Sequence, residues 1–89
     1  MLISPDEINK SLSNKGWVYK DKMIVKTFSF NNYMEGIAFV NKVADLAETN
    51  NHHPDIKISF EAIAIYITSH DMGGVTTKCI NLASRIDII

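Results

Sequence analysis

Three histidines are the residues whose type and spacing could do chemistry in this chain. They occupy two places, His52-His53 within Glu48-Thr-Asn-Asn-His52-His53-Pro54-Asp55 and His70 within Thr68-Ser69-His70-Asp71. Imidazole titrates near neutrality, so a positioned histidine can give or take a proton at working pH. An adjacent pair followed by proline makes a fixed corner at a helix end, and His70 closes an apolar strand. The ordinary reading of the pair is a helix C-terminus, where partial positive charge complements the helix dipole. Against it stands the absence of histidine anywhere else in the sequence.

Two other chemistries are open to these residues. His52, His53 and His70 with Asp71, Asp55 or Cys79 would supply four metal ligands, but His-x-His, His-x₃-His and Cys-x₂-Cys spacings are all absent. Cys79 as a nucleophile is weaker, since it falls in an apolar-patterned helix where a small buried thiol is the common state. Tyr66 and Thr68 share strand parity with His70, which packing explains equally well. Trp17 reads as core, or as a flat stacking face beside a pocket.

The elements that must position these residues follow from patterning. Ser4-Pro5-Asp6-Glu7 starts a helix with a capping box, Ile8 and Leu12 lie on its buried face, and Asn14 and Gly16 stop it. Trp17-Val18-Tyr19 predicts a short strand, Lys20-Asp21-Lys22 a turn, and Met23 to Phe30 a longer strand with Phe28 and Phe30 on one face and Thr27 and Ser29 on the other. Asn31-Asn32 with Glu35 starts the next helix, whose apolar stripe is Tyr33, Ile37, Val40, Ala44 and Ala47 and which ends between Glu48 and Asn51. Ile56, Ile58 and Phe60 alternate with polar residues, then Ile63, Ile65 and Ile67 alternate in turn, predicting two strands joined near Glu61-Ala62. Gly73-Gly74 breaks the chain, and Thr76 or Thr77 caps a last helix with the stripe Ile80, Ala83 and Ile86. The resulting class is α+β, in the order α-β-β-α-β-β-α, with one four-stranded antiparallel sheet covered on one face by helices.

Composition narrows the function classes. Eighty-nine residues make one domain spanning 1–89, and 46% hydrophobic content suffices for its core. Nine basic and ten acidic residues give a formal net charge of −1 without a basic stripe, which disfavours direct nucleic-acid binding. No stretch resembles a signal peptide or approaches the roughly 20 apolar residues of a membrane span, so no membrane association is expected. A lone cysteine, Cys79, precludes an internal disulfide and suits a reducing compartment, so the expected location is cytoplasmic. Unpaired sheet edges invite self-association.

Several spaced elements together resemble the pterin-4a-carbinolamine dehydratase family. They are Lys26-Thr-Phe28-Ser-Phe30, then Tyr33, Gly36 and Phe39, then Asn51-His52-His53-Pro54-Asp55, Thr68-Ser69-His70-Asp71, Gly74-Val75-Thr76 and Asn81-Leu82-Ala83. The most specific part is Glu48-x₃-His52-His53-Pro54, with Phe60 six residues after the proline and His70 ten further on. The resemblance implies a hydro-lyase, 4a-hydroxytetrahydrobiopterin dehydratase, that takes water from 4a-hydroxytetrahydropterin and leaves quinonoid dihydropterin, in tetrahydrobiopterin recycling. It implies His52, His53 and His70 as the catalytic set, and Glu48, Pro54, Asp55, Trp17, Ser69 and Asp71 as substrate-binding residues. It implies no cofactor and no metal, the pterin being the substrate. It further implies a homodimer or homotetramer with a functional link to an aromatic amino-acid hydroxylase. The rival on the same fold is a non-catalytic dimerisation or partner-binding module. Two departures stand out: Cys79 where related enzymes commonly carry an acidic residue, with Asp71 the candidate to substitute, and Ile56-Lys57 where aromatic residues often follow the His-His-Pro corner.

Overall fold

A computed structural model describes residues 2–12 and 14–89. Its order is α1 (Pro5–Leu12), β1 (Val18–Lys20), β2 (Met23–Ser29), α2 (Tyr33–Asn50), β3 (Asp55–Ile58), β4 (Ala62–Ile67) and α3 (Thr77–Ile86), as the patterning predicts. The sheet is antiparallel throughout, with strand order β1-β2-β4-β3. In this register Ile24 faces Ile67, Phe28 faces Ile63, and Ile56 faces Ile65. Strand side chains alternate between faces, so Ile24, Ile63, Ile65 and Ile67 all fall on one face, and all four are buried. The core joins them to Ile8 and Leu12 of α1, Val43 of α2, and Cys79, Leu82, Ala83 and Ile86 of α3.

Local chemistry sets the boundaries. Ser4 Oγ accepts from the Glu7 amide at 3.3 Å to start α1. Asn32 Oδ1 accepts from the Glu35 amide at 2.9 Å, while Glu35 Oε1 accepts from the Asn31 amide at 3.2 Å, a reciprocal cap on α2. The β1–β2 hairpin turns through Asp21 and Lys22, both left-handed at φ 51° and 67°, the turn geometry that matches strand twist. The β3–β4 turn is at Phe60-Glu61, closed by the Ser59 amide donating to the Ala62 carbonyl at 2.9 Å. Phe60 consequently lies outside the strand and is exposed.

Helix α2 is rotated from the expected stripe. Its buried residues are Gly36, Val43 and Ala47, whereas Tyr33 and Ala44 are exposed. The cause is Gly36: a Cβ there would lie 3.3 Å from Ile63 Cδ1 and 3.6 Å from Phe30 Cδ2. Lacking one, the helix seats its backbone on the sheet at that point and turns 36, 43 and 47 inward together.

Candidate functional site

The His52-His53 corner is built by the end of α2. Asn51 adopts the left-handed conformation at φ 50°, ψ 44°. Its amide donates to the Glu48 carbonyl at 3.3 Å, and the His52 amide donates back to the Ala47 carbonyl at 3.1 Å. This paired closure satisfies carbonyls that a helix end leaves open and fixes where residue 52 leaves the helix. Pro54 prevents further winding, and β3 begins at Asp55.

The opposite wall comes from the segment between β4 and α3. Ser69 donates its amide to the Gly74 carbonyl at 2.8 Å, and Gly73 (φ 74°) donates to the Ser69 carbonyl at 2.9 Å, closing a tight loop. The Ile3 amide then ties Val75 down at 2.9 Å. Thr76 is the N-cap of α3, yet its hydroxyl makes no cap bond. It lies instead 2.8 Å from Ser69 Oγ.

Between these walls lies a cleft of about 500 Å³, whose lining includes Asn51, His52, Ser69, Asp71, Thr76 and Lys78. That volume lies in the range of small-molecule sites. Behind it, Ser69 Oγ stands 3.3 Å from Cys79 Sγ, and the thiol stands 3.4 Å from His52 Nε2. Burial lowers the His52 pKa below its ordinary value, helped by the positive charge of Lys78 and by His53 and His70, while Asp71 opposes them. His52 is therefore held towards its neutral form.

The three histidines are not equivalent. His52 lines the cleft, whereas His53 is exposed and its Nε2 meets the Glu48 carboxylate. Glu48 thus orients the second imidazole of the pair, not the first. His70 is exposed on a smaller groove of about 280 Å³ with Lys22, Thr68 and Gly73. Thr68 donates its hydroxyl to the Lys22 carbonyl at 2.8 Å. Of the six residues expected to bind substrate, Ser69 and Asp71 line the His52 cleft, and Pro54 and Asp55 follow the histidine pair into β3. Trp17 is buried elsewhere: its indole donates to Asp87 Oδ2 at 3.0 Å and packs edge-on against Phe28. It offers no stacking face to this cleft. Among the described residues no three His, Cys, Asp or Glu side chains converge as a metal set. Sequence reasoning missed Asn51, Thr76 and Lys78 as cleft residues. The available signal was Thr76-Thr77-Lys78 following Gly73-Gly74, a helix start placed opposite the histidine corner.

Comparison with known proteins agrees with this architecture. The family model described as "Pterin 4 alpha carbinolamine dehydratase" matches residues 1–89. A protein of Sulfurisphaera tokodaii, provisionally named a pterin-4-alpha-carbinolamine dehydratase, is 42% identical over 82 residues, covering 92% of this chain and 85% of its own. A similarly named Aquifex aeolicus protein is 40% identical, covering 96% and 87%. Among solved structures, a transcriptional coactivator/pterin dehydratase from Brucella melitensis superposes with a TM-score of 0.91 over 99% of this chain and 97% of that one, at 24% identity. A pterin dehydratase-like protein described as a RuBisCO assembly factor in the alpha-carboxysome superposes with a TM-score of 0.66, covering 81% and 83%, at 25% identity.

Proposed function

The chain belongs to the pterin 4 alpha carbinolamine dehydratase family, and from that premise we propose that it dehydrates a 4a-hydroxytetrahydropterin to the quinonoid dihydropterin. The observation that carries this reading is a titratable imidazole, His52, lining a ligand-sized cleft in a chain that the family model matches from residue 1 to 89. The reaction breaks the C4a–O bond, removes the proton on N5 and forms the C4a=N5 double bond, so that hydroxyl and proton leave as water. It needs a donor near the oxygen and an acceptor near the nitrogen, and nothing else. In this proposal His52 and His70, which line separate grooves, must both reach the pterin to serve those protons, and His53, steadied by Glu48, holds it. Proton transfers of this kind typically contribute about 10²–10⁴-fold each. Asp71 and Ser69 offer polar contacts within the cleft. The proposal places the protein downstream of an aromatic amino-acid hydroxylase, as a homodimer or homotetramer.

Stopped-flow absorbance tests this. The carbinolamine is generated in place by a hydroxylase, and its decay is followed with and without sub-stoichiometric protein against the spontaneous rate. Acceleration that His70→Ala abolishes in a folded variant is the expected result. A folded wild-type protein that leaves the spontaneous rate unchanged overturns the proposal.

A second reading is favoured by one observation, the likeness to a pterin dehydratase-like assembly factor. On it, the chain is a non-catalytic module that binds a protein partner. Val18 on edge strand β1 and Ile58 on edge strand β3 are exposed apolar residues that would suit such contact. No turnover, together with stoichiometric co-purification of one defined partner, is the outcome this reading requires.

A further inference from the structure

Four side chains form one polar chain along the cleft wall, three of them lining it and Cys79 buried behind: Thr76, Ser69, Cys79 and His52. Their separations are 2.8 Å between the two hydroxyls, 3.3 Å from Ser69 to the thiol, and 3.4 Å from the thiol to His52 Nε2. One further contact, Thr76 to the thiol, is long at 3.7 Å. Ser69, Thr76 and Cys79 are all buried, and the side-chain partners within reach of their protons are those of this network. Only one arrangement gives all three protons a short contact, and every other one uses the long contact. If the protons point toward the histidine, Thr76 donates to Ser69, Ser69 to the thiol, and the thiol to Nε2, so each uses one of the three shorter contacts. If they point away, Nε2–H donates to sulfur, the thiol to Ser69, and Ser69 to Thr76. The Thr76 proton is then left with only the long contact to sulfur. The first direction also ends on imidazole nitrogen, a far better acceptor than thiol sulfur.

We infer that Cys79 is a positioning residue: its thiol donates to His52 Nε2 and holds the ring as the neutral Nδ1–H tautomer. His52 then meets a ligand in the cleft as a hydrogen-bond donor through Nδ1. Protonating Nε2 would displace the thiol proton and force one proton of the network onto the long Thr76–thiol contact, so the network resists it. The other groups acting on the ring are Lys78, His53 and His70, which oppose its positive charge, and Asp71, which favours it. Joined to the proposed dehydration, on which only this clause rests, the assignment has His52 hydrogen-bond the departing hydroxyl while another base takes the N5 proton and passes it on to complete the water.

The test is long-range ¹H–¹⁵N correlation of the imidazole nitrogens, which reads the tautomer and titration of His52 without substrate. The wild-type protein should show Nδ1–H at neutral pH and a titration midpoint below 6.5. Cys79→Ser keeps a donor and should keep the Nδ1–H pattern. Cys79→Ala should lose that preference. Cys79→Asp presents an acceptor and should reverse the ring to Nε2–H, raising its midpoint by about one unit or more. A wild-type ring protonated at Nε2, or a Cys79→Ala variant with an unchanged tautomer, overturns the inference. Because this readout involves no turnover, it stands or falls apart from the dehydratase assay. Where turnover is measurable, the acidic limb of its pH profile should move with the midpoint in Cys79→Asp and stay in place in Cys79→Ser.

Discussion

Replacing Asp87 tests how the far end of α3 is held. Its carboxylate accepts from the Trp17 indole at 3.0 Å and from the Lys26 ammonium at 2.8 Å, with side-chain exposures of 17% for Asp87 and 22% for Lys26. Lys26 projects from the sheet face that packs against the helices, opposite Ile65 in register, and its ammonium also lies 4.8 Å from the Phe28 ring. Asp87→Ala leaves the indole of a residue only 5% exposed without an acceptor, a loss of about 1–3 kcal/mol. It also leaves the ammonium unpaired. Breaking a fully buried pair costs about 3–5 kcal/mol, and partial exposure brings the combined loss for both partners to roughly 2–4 kcal/mol. Asp87→Asn keeps one acceptor oxygen but turns an amide donor toward the other donor, so its loss should be smaller, about 1–2 kcal/mol. Urea unfolding at one fixed protein concentration measures both, since self-association would make the midpoint depend on concentration. In a Lys26→Met background the Asp87→Asn loss should shrink by at least about 0.5 kcal/mol, the signature of coupled neighbours. An Asp87→Ala loss below about 1 kcal/mol at unchanged m-value would put this pair among ordinary surface bridges and refute the reasoning.

Asn51→Val should destabilise by about 1–2 kcal/mol, because a β-branched residue must hold the left-handed conformation, whereas Asn51→Gly should be near neutral by the same chemical-denaturation measurement. Because the His52 pKa is lowered on folding, the unfolded chain binds a proton first as pH falls. The His52 contribution is therefore fully present above pH 6.5 and is lost as pH drops through the lower folded value. Thermal melts between pH 7.5 and 5 should show this loss, with a shallower acid slope in His52→Gln. Gly36→Val should cost about 1–3 kcal/mol by urea unfolding, since its branched side chain meets Ile63 where a bare Cβ is already at 3.3 Å.

The parts legible in the sequence are those decided within a few residues. Ser4 with Glu7, Asn32 with Glu35, and the alternation of Ile63, Ile65 and Ile67 each carry their own geometry, and the structure forms them as expected. The rotation of α2 was not legible, because a small residue registers on a helix face only once its partner across the interface is known. Here the partner is Ile63, 27 positions away. The Phe60-Glu61 turn lacks the glycine or asparagine that marks tight turns, and tertiary pairing of the Ile-rich strands closes it regardless. Of the two readings of Trp17 the structure shows the buried one, but its acceptor lies 70 residues along the chain and could not be read locally. In the site, the His52 corner could be read from Asn51 and Pro54. The separate grooves of His52 and His70 could not, because they depend on how the loop from Ser69 to Gly74 folds back between them.

Helix α3 joins the two clusters that sequence reasoning missed. Its ten residues form a rod of about 15 Å, with Thr76 and Cys79 at the cleft end and Asp87 just past the other. The Ile3–Val75 hydrogen bond fixes the start, and the Asp87 cluster fixes the finish. Losing the far anchor should therefore lower global stability while leaving Cys79 against His52, so long as the helix remains docked. The near end departs from local preference. Thr76 occupies the N-cap position yet directs its hydroxyl to Ser69, forgoing a cap worth typically about 1 kcal/mol. Departures of this kind gather where a structure serves something besides its own stability. Here the diverted hydroxyl begins the hydrogen-bond chain that ends on the one histidine lining the larger cleft. Thr76→Val would remove its first proton without touching a helix cap. It should therefore alter the His52 tautomer more than it alters the helix.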